Sequence, residues 1–226
     1  MGEIIEFSSN GTSSSGYLAS PIEKAAPGVV VIQEWWGLVD HIKDVCDRFA
    51  ANGIYALAPD LYHGSVAREP DEAAKTMMAM ELPQAAKDMS GAAAELVRRS
   101  GRSSVGVVGF CMGGALALVL AAERPDIVSA VSPFYGVVSW PSPGPDFQRI
   151  TAAIQGHYAE HDDSASPEAS RALESQLKSM GKEAEFFIYP GTHHAFFNDT
   201  RPEVYDAQAS KQAWDRLIPF LREHVS

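Results

Sequence analysis

Residues Gly28 to Gln33 read GVVVIQ, with four consecutive β-branched residues and no polar group among them. A strand with one wet face alternates apolar and polar side chains. This one is apolar on both faces, so it belongs inside a sheet that is covered on both sides. Val105 to Phe110, VGVVGF, repeats the pattern. Between them Ile42, Val45, Cys46, Phe49 and Ala50 fall on one helical face, and Gly53 ends that helix. Ile54 to Ala58 is the next strand, stopped by Pro59-Asp60. Buried strands alternating with amphipathic helices give an α/β fold. The central sheet is mostly parallel, with helices on both faces.

The rest of the chain continues in the same way. Ile4–Phe7 and Gly16–Ala19 read as short strands joined by the Ser/Gly-rich Ser8–Ser15. Helices are expected over Asp71–Met80, Pro83–Ser100, Met112–Glu123, Pro167–Met180 and Pro202–His224. Further strands are expected over Ile127–Tyr135, Thr151–Tyr158 and Ala184–Tyr189. No repeat or linker divides the 226 residues, so one domain over 1–226 is expected.

Composition narrows the function classes. Hydrophobic residues make up 46% and charged residues 21%, which is globular rather than disordered. The net charge of −11 argues against a nucleic-acid partner, which needs a basic face. The acidic start Gly2-Glu3-Ile4-Ile5-Glu6 does not read as a secretory signal, and the apolar Gly109–Ala122 is too short to span a bilayer. A soluble cytoplasmic protein without a membrane partner is expected. The two cysteines, Cys46 and Cys111, lie 65 positions apart with no C-x-x-C, so neither a metal centre nor a redox pair is expected. No cofactor is expected, and oligomeric state is not readable.

In parallel α/β sheets, sites form at the carboxyl ends of the strands. Glu34-Trp35-Trp36-Gly37 follows the first buried strand and Cys111 follows Val105–Phe110. Glu160, His161, Asp162 and Asp163 follow Thr151–Tyr158, and His193 and His194 follow Ala184–Tyr189. Gly109-Phe110-Cys111-Met112-Gly113 has the spacing of a nucleophile elbow, with cysteine in the serine position. Small neighbours let strand and helix approach, and the helix N-terminus favours a thiolate. The competing reading is a small cysteine packed between strand and helix.

A base is available at His193 or His194 and an acid at Asp162 or Asp163, in the nucleophile–acid–histidine order of α/β-hydrolases. An aspartate in such a loop is also a common helix cap. Glu34 ends a buried strand, where a carboxylate is costly without a partner. The amides of Trp35 and Met112 stand where an oxyanion hole is built, and Trp35, Trp36 and Phe196 are expected to wall a pocket.

The stretches VVVIQEWWGL, YALAPDLYHG, VGVVGFCMGG, HYAEHDD and YPGTHHAFFNDTRP, in order over nearly the whole chain, resemble the dienelactone hydrolase family of α/β-hydrolases. The resemblance implies a cysteine nucleophile at Cys111, its base at His194 and its orienting acid at Asp162. It also implies that Glu34 governs thiol ionisation.

Two departures matter. Family members that hydrolyse dienelactone bind its carboxylate with two arginines. Here no arginine occurs between Arg68 and Arg98, and the position four after His194 is Asn198. Arg201 and Arg68 are the available substitutes. The resulting expectation is a cysteine-dependent hydrolase of small carboxylic esters or lactones, like a carboxymethylenebutenolidase. It would act through a Cys-His-Asp triad and a thioester intermediate. The alternative is a non-hydrolytic small-molecule binder or sensor on the same fold.

Overall fold

The computed structural model describes residues 2–137 and 144–226. Eight strands form one sheet in the order β1-β2-β4-β3-β5-β6-β7-β8. They are β1 Glu3–Ser9, β2 Thr12–Ala19, β3 Gly28–Ile32, β4 Tyr55–Pro59, β5 Val105–Phe110, β6 Val128–Phe134, β7 Ala153–His161 and β8 Ala184–His193. Strands β3 to β8 are mutually parallel, and the β1–β2 hairpin joins antiparallel through β2 against β4. The helices are α1 Asp40–Ala51, α2 Pro70–Ala79, α3 Leu82–Ser100, α4 Met112–Glu123, α5 Pro167–Ser179 and α6 Ala207–His224.

The all-apolar strands are buried as their sequences require: every residue of β3, β4 and β5 is buried. Val30 and Ile32 face α3, α4 and α5, in a core with Met89, Leu96, Leu116 and Leu173. Val29 and Val31 face the other way, toward α1 and α6, with Ile42, Phe49, Leu217 and Leu221. Helix α4 is buried nearly all round, which explains why its sequence carries no polar face. This arrangement fixes the carboxyl edges of β3, β5, β6, β7 and β8 side by side.

Three boundaries differ from the sequence reading. The serine-rich Ser8–Ser15 is mostly strand, because Asn10 and Gly11, with φ of 44° and 98°, close a two-residue hairpin turn. Strands β7 and β8 run on past Tyr158 and Tyr189 to a paired His161 and His193. The last helix begins at Ala207 rather than Pro202. Asp206 caps it, its Oδ1 accepting the Ala209 amide at 2.8 Å, while the Asp206 amide donates to the Phe196 carbonyl at 3.0 Å. No described helix is long and apolar enough to cross a membrane.

Candidate active site

Cys111 sits alone on the turn from β5 into α4, with φ 55° and ψ −119°. That left-handed backbone is strained for a residue with a side chain, and the surroundings enforce it. The Cys111 amide donates to the Phe134 carbonyl at 3.0 Å, and the Gly114 amide donates to the Cys111 carbonyl at 2.9 Å. Glycines are required beside it: a Cβ on Gly109 would collide with the Gly113 backbone, and one on Gly113 with the Gln33 and Ile32 carbonyls. The elbow thus packs directly on the end of β3.

His194 lies just beyond β8, and its Nδ1 is 2.7 Å from Asp162 Oδ2. Asp162 follows β7 and is 4% exposed. Its other oxygen accepts the amides of Ser164 and Ala165 at 2.8 and 2.9 Å. Burial pushes the Asp162 carboxyl up, but the His194 bond and charge and the two amides outweigh it and hold the group below its usual value. Burial likewise works against a charged His194. Hydrogen bonds with Asp162 and Cys111, and their charges, override it and raise the imidazole to about 10. The ring is thus held by the Asp162 carboxylate and shares the cavity wall with Cys111. Asp163 and His193 are exposed on the same segments, so the geometry brings together Cys111, Asp162 and His194 rather than their neighbours.

A cavity of about 380 Å³ opens over these groups, lined by Cys111, His194, Trp35, Met112, Tyr135 and Arg201 among others. The amides of Trp35 and Met112 have no hydrogen-bond acceptor among the described residues. Met77 of α2 reaches the same cavity, so this helix contributes to its wall. Arg201 pairs with Glu203 at 2.9 Å and remains about one-third exposed at the cavity. Arg68 is absent from the lining, its amide being tied to Glu72 at 3.1 Å.

Two pocket expectations are corrected. Trp36 packs edge-on against Trp35 at 5.2 Å and does not line the cavity, because the chain turns at Gly37, φ 95°. Phe196 is fully buried, packed under Tyr135 and Tyr189 with ring centroids at 5.6 and 5.0 Å. Left-handed Ala195, φ 67°, sends the chain inward there.

Glu34 is 1% exposed, and Asn198 Nδ2 donates to its Oε2 at 2.8 Å. Burial raises the carboxyl, opposed by Asn198 and by the charges of His194 and Arg201. Tyr135, which sequence reasoning missed, is a further buried polar residue here, and burial with the nearby Glu34 charge pushes its phenol well above 10. Its signal was its place, directly after the carboxyl end of β6. Among the described residues no cluster of three or more His, Cys, Asp or Glu could hold a metal ion.

Comparison with known proteins places these observations. The sequence profile of the dienelactone hydrolase family matches residues 15–225. "Protein usf" of Aquifex pyrophilus is 35% identical, covering 100% of both chains. A protein of Aquifex aeolicus named "Putative carboxymethylenebutenolidase" is 34% identical, again over 100% of both chains. A crystal structure of a Klebsiella pneumoniae protein described as a "Putative Dienelactone Hydrolase" superposes with a TM-score of 0.87 at 26% identity, covering 99% of this chain and 100% of that one.

Proposed function

Since the chain belongs to the dienelactone hydrolase family, we propose that it is a cysteine-dependent hydrolase of small activated esters and lactones, folded as one domain over residues 1–226. The observation that carries this reading is the His194–Asp162 bond of 2.7 Å on a ring that also faces Cys111 at a strained elbow.

In this mechanism Cys111 reacts as a thiolate beside the His194 imidazolium, which the buried Asp162 carboxylate stabilises and orients. The sulfur attacks the substrate carbonyl. The amides of Trp35 and Met112 receive the oxyanion, being unpartnered and on the same cavity wall. The imidazolium gives its proton to the leaving oxygen as the C–O bond breaks, and a thioester remains. Acylation removes the thiolate charge and hydrogen bond that help to raise His194. The imidazole is then free to take a proton from water, which attacks the thioester and releases the acid.

Leaving-group chemistry selects the substrate class. Thiolate leaves more readily than an ordinary alkoxide, so a tetrahedral intermediate from a plain alkyl ester mostly reverts. Enol and aryl esters and strained lactones tip the partition forward. Arg201 is the cation available to an anionic substrate group, since Asn198 occupies the family's arginine position and is engaged with Glu34. The test is a panel of lactones, aryl esters and thioesters assayed with wild type and Cys111→Ala. Turnover by wild type and its loss in the variant is the expected result. Wild-type turnover in Cys111→Ala overturns the nucleophile assignment. Binding of the panel without turnover by wild type favours the sensor reading.

A further inference from the structure

The cavity over Cys111 has two unlike sides. Cys111 packs against both hydrophobic cores, one on each face of the sheet. On the α1–α6 side stands Tyr135, its ring 5.1 Å from that of His194, with the buried turn through Phe196 and Phe197 that leads to Arg201. On the α3–α4–α5 side stand Met112 and Met77, with Ala115 one turn further along α4. Among the described lining residues Arg201 is the only lysine or arginine, so the methionine side carries no cation.

Helix α2 explains how Met77 comes to be there. Ala73, Met77 and Met80 recur at i, i+4 and i+7, so one narrow face points inward while Asp71, Glu72 and Lys75 stay exposed. Ala73 is the only buried residue of this helix, and Met77 and Met80 are half-buried against the core. Met77 therefore touches the core with part of its surface and presents the rest to the cavity. Met112 beside it is held, its sulfur accepting the Tyr62 hydroxyl at 3.6 Å. Met77 has no such bond among the described residues, and a thioether on three rotatable bonds adapts to what packs on it.

The reaction decides which part of a substrate meets this side. In the tetrahedral intermediate the attacked carbon carries the sulfur, the oxyanion, the leaving oxygen and the acyl chain. The oxyanion faces the amides of Trp35 and Met112, and the leaving oxygen must meet the His194 proton. His194 stands with the α1–α6 side. The acyl chain takes the remaining direction, away from the imidazole and toward the methionines. A carboxylate carried there would lose its hydration against two thioethers and a methyl group, with no cation to receive it.

We propose that Met77 is the specificity-determining residue of an acyl subsite: with Met112 and Ala115 it receives an uncharged, apolar acyl chain, while Arg201 is left to the leaving-group end. The inference rests on the hydrolase reading given above and narrows its substrate class to esters and lactones with no charge on the acyl part. An anionic group is accepted only beyond the leaving oxygen. Because α2 buries Ala73 alone, Met77 can be exchanged without opening the core.

The measurements are kcat/KM for p-nitrophenyl acetate and hexanoate and for the mono-p-nitrophenyl ester of adipic acid, which is the hexanoate with its terminal methyl replaced by a carboxylate. All share one leaving group, so the ratios read the acyl subsite. Wild type should prefer hexanoate to acetate, and hexanoate to the adipate ester by about tenfold or more. Met77→Ala should lower the hexanoate-to-acetate ratio by about fourfold or more, the effect of one buried methylene. Met77→Lys should raise the adipate-to-hexanoate ratio by about tenfold, since a cation then stands at the acyl end. A merely structural role would slow every substrate alike, and that outcome overturns the proposal. So do ratios that stay at wild-type values, variants that do not fold, or a wild type that prefers acetate. A wild type that prefers the adipate ester gives the acyl end to Arg201 and overturns it too. Failure of the hydrolase reading shows separately, as turnover of these esters retained by Cys111→Ala.

Discussion

The chain holds two thiols in opposite situations. Cys46 lies on α1 with 0% exposure, on the helix face shared with Ile42, Val45 and Phe49. Burial drives its thiol far above the ordinary value. Cys111 stands at a left-handed turn, half-buried, against an imidazole that a carboxylate holds in place. Both are small sulfur side chains in well-packed regions, and each packs against the same α1–α6 core. What separates them is backbone position. A helix interior offers a thiol only apolar neighbours. A strand-to-helix turn at a sheet edge offers a helix N-terminus, free amides and access to a cavity.

The sharpest way to break the comparison is to exchange the thiols for methyl groups and read turnover. Cys111→Ala should lower kcat/KM on p-nitrophenyl acetate by about 10⁴-fold, the scale seen when a nucleophile is removed from a triad. A loss of less than tenfold would place the reacting group elsewhere. Asp162→Asn comes next, at about 10²- to 10⁴-fold, because the amide leaves His194 without its charge and with the wrong hydrogen-bonding partner at Nδ1. If Asp162→Asn has normal activity while Cys111→Ala is inactive, the imidazole is oriented by something other than this 2.7 Å bond.

What distinguishes the two thiols was partly visible before any coordinates. The apolar runs at Gly28–Ile32 and Val105–Phe110 dictate doubly covered strands, and Gly109 and Gly113 mark the close approach that places Cys111. The periodicity of Ile42, Val45, Cys46 and Phe49 sends Cys46 inward. Less was legible where structure depends on partners far apart in sequence. Asn198 showed only as a missing arginine, because its partner Glu34 is 164 positions away. Tyr135 was legible only by its place at the end of β6, since no local pattern encodes its backbone angle or its partnerless hydroxyl. The Asn10-Gly11 turn was a readable hairpin signal overshadowed by the serines around it.

A finer test uses pH, and its signs follow from the two shifted groups. His194 is raised to about 10, so its interactions favour the folded, paired state fully below its ordinary value and are lost as pH rises through about 10. Asp162 is depressed, so its contribution is present above the ordinary carboxylate range and is lost as pH falls through its folded value. The alkaline limb of kcat/KM for acylation should therefore lie near 10 in wild type. In the residual activity of Asp162→Asn it should move to lower pH, since the largest favourable contribution to His194 is gone. A limb that stays near 10 in that variant would assign the raised imidazole to Cys111 alone.

The smallest expected effect lies at the other thiol. Cys46→Ala removes one buried sulfur and leaves a void smaller than a methylene pair, costing about 1 kcal/mol of stability. Turnover should stay within about twofold of wild type, because Cys46 does not line the cavity. Alkylation under native conditions tests the same point without mutation. Iodoacetamide should modify Cys111 alone, as read by peptide mass. Cys46 should label only as denaturant opens α1 from the sheet, at a rate that follows the unfolded fraction rather than thiol chemistry. If Cys46 labels in the native state as fast as Cys111, then α1 opens locally at little cost, and burial is not what keeps this thiol silent.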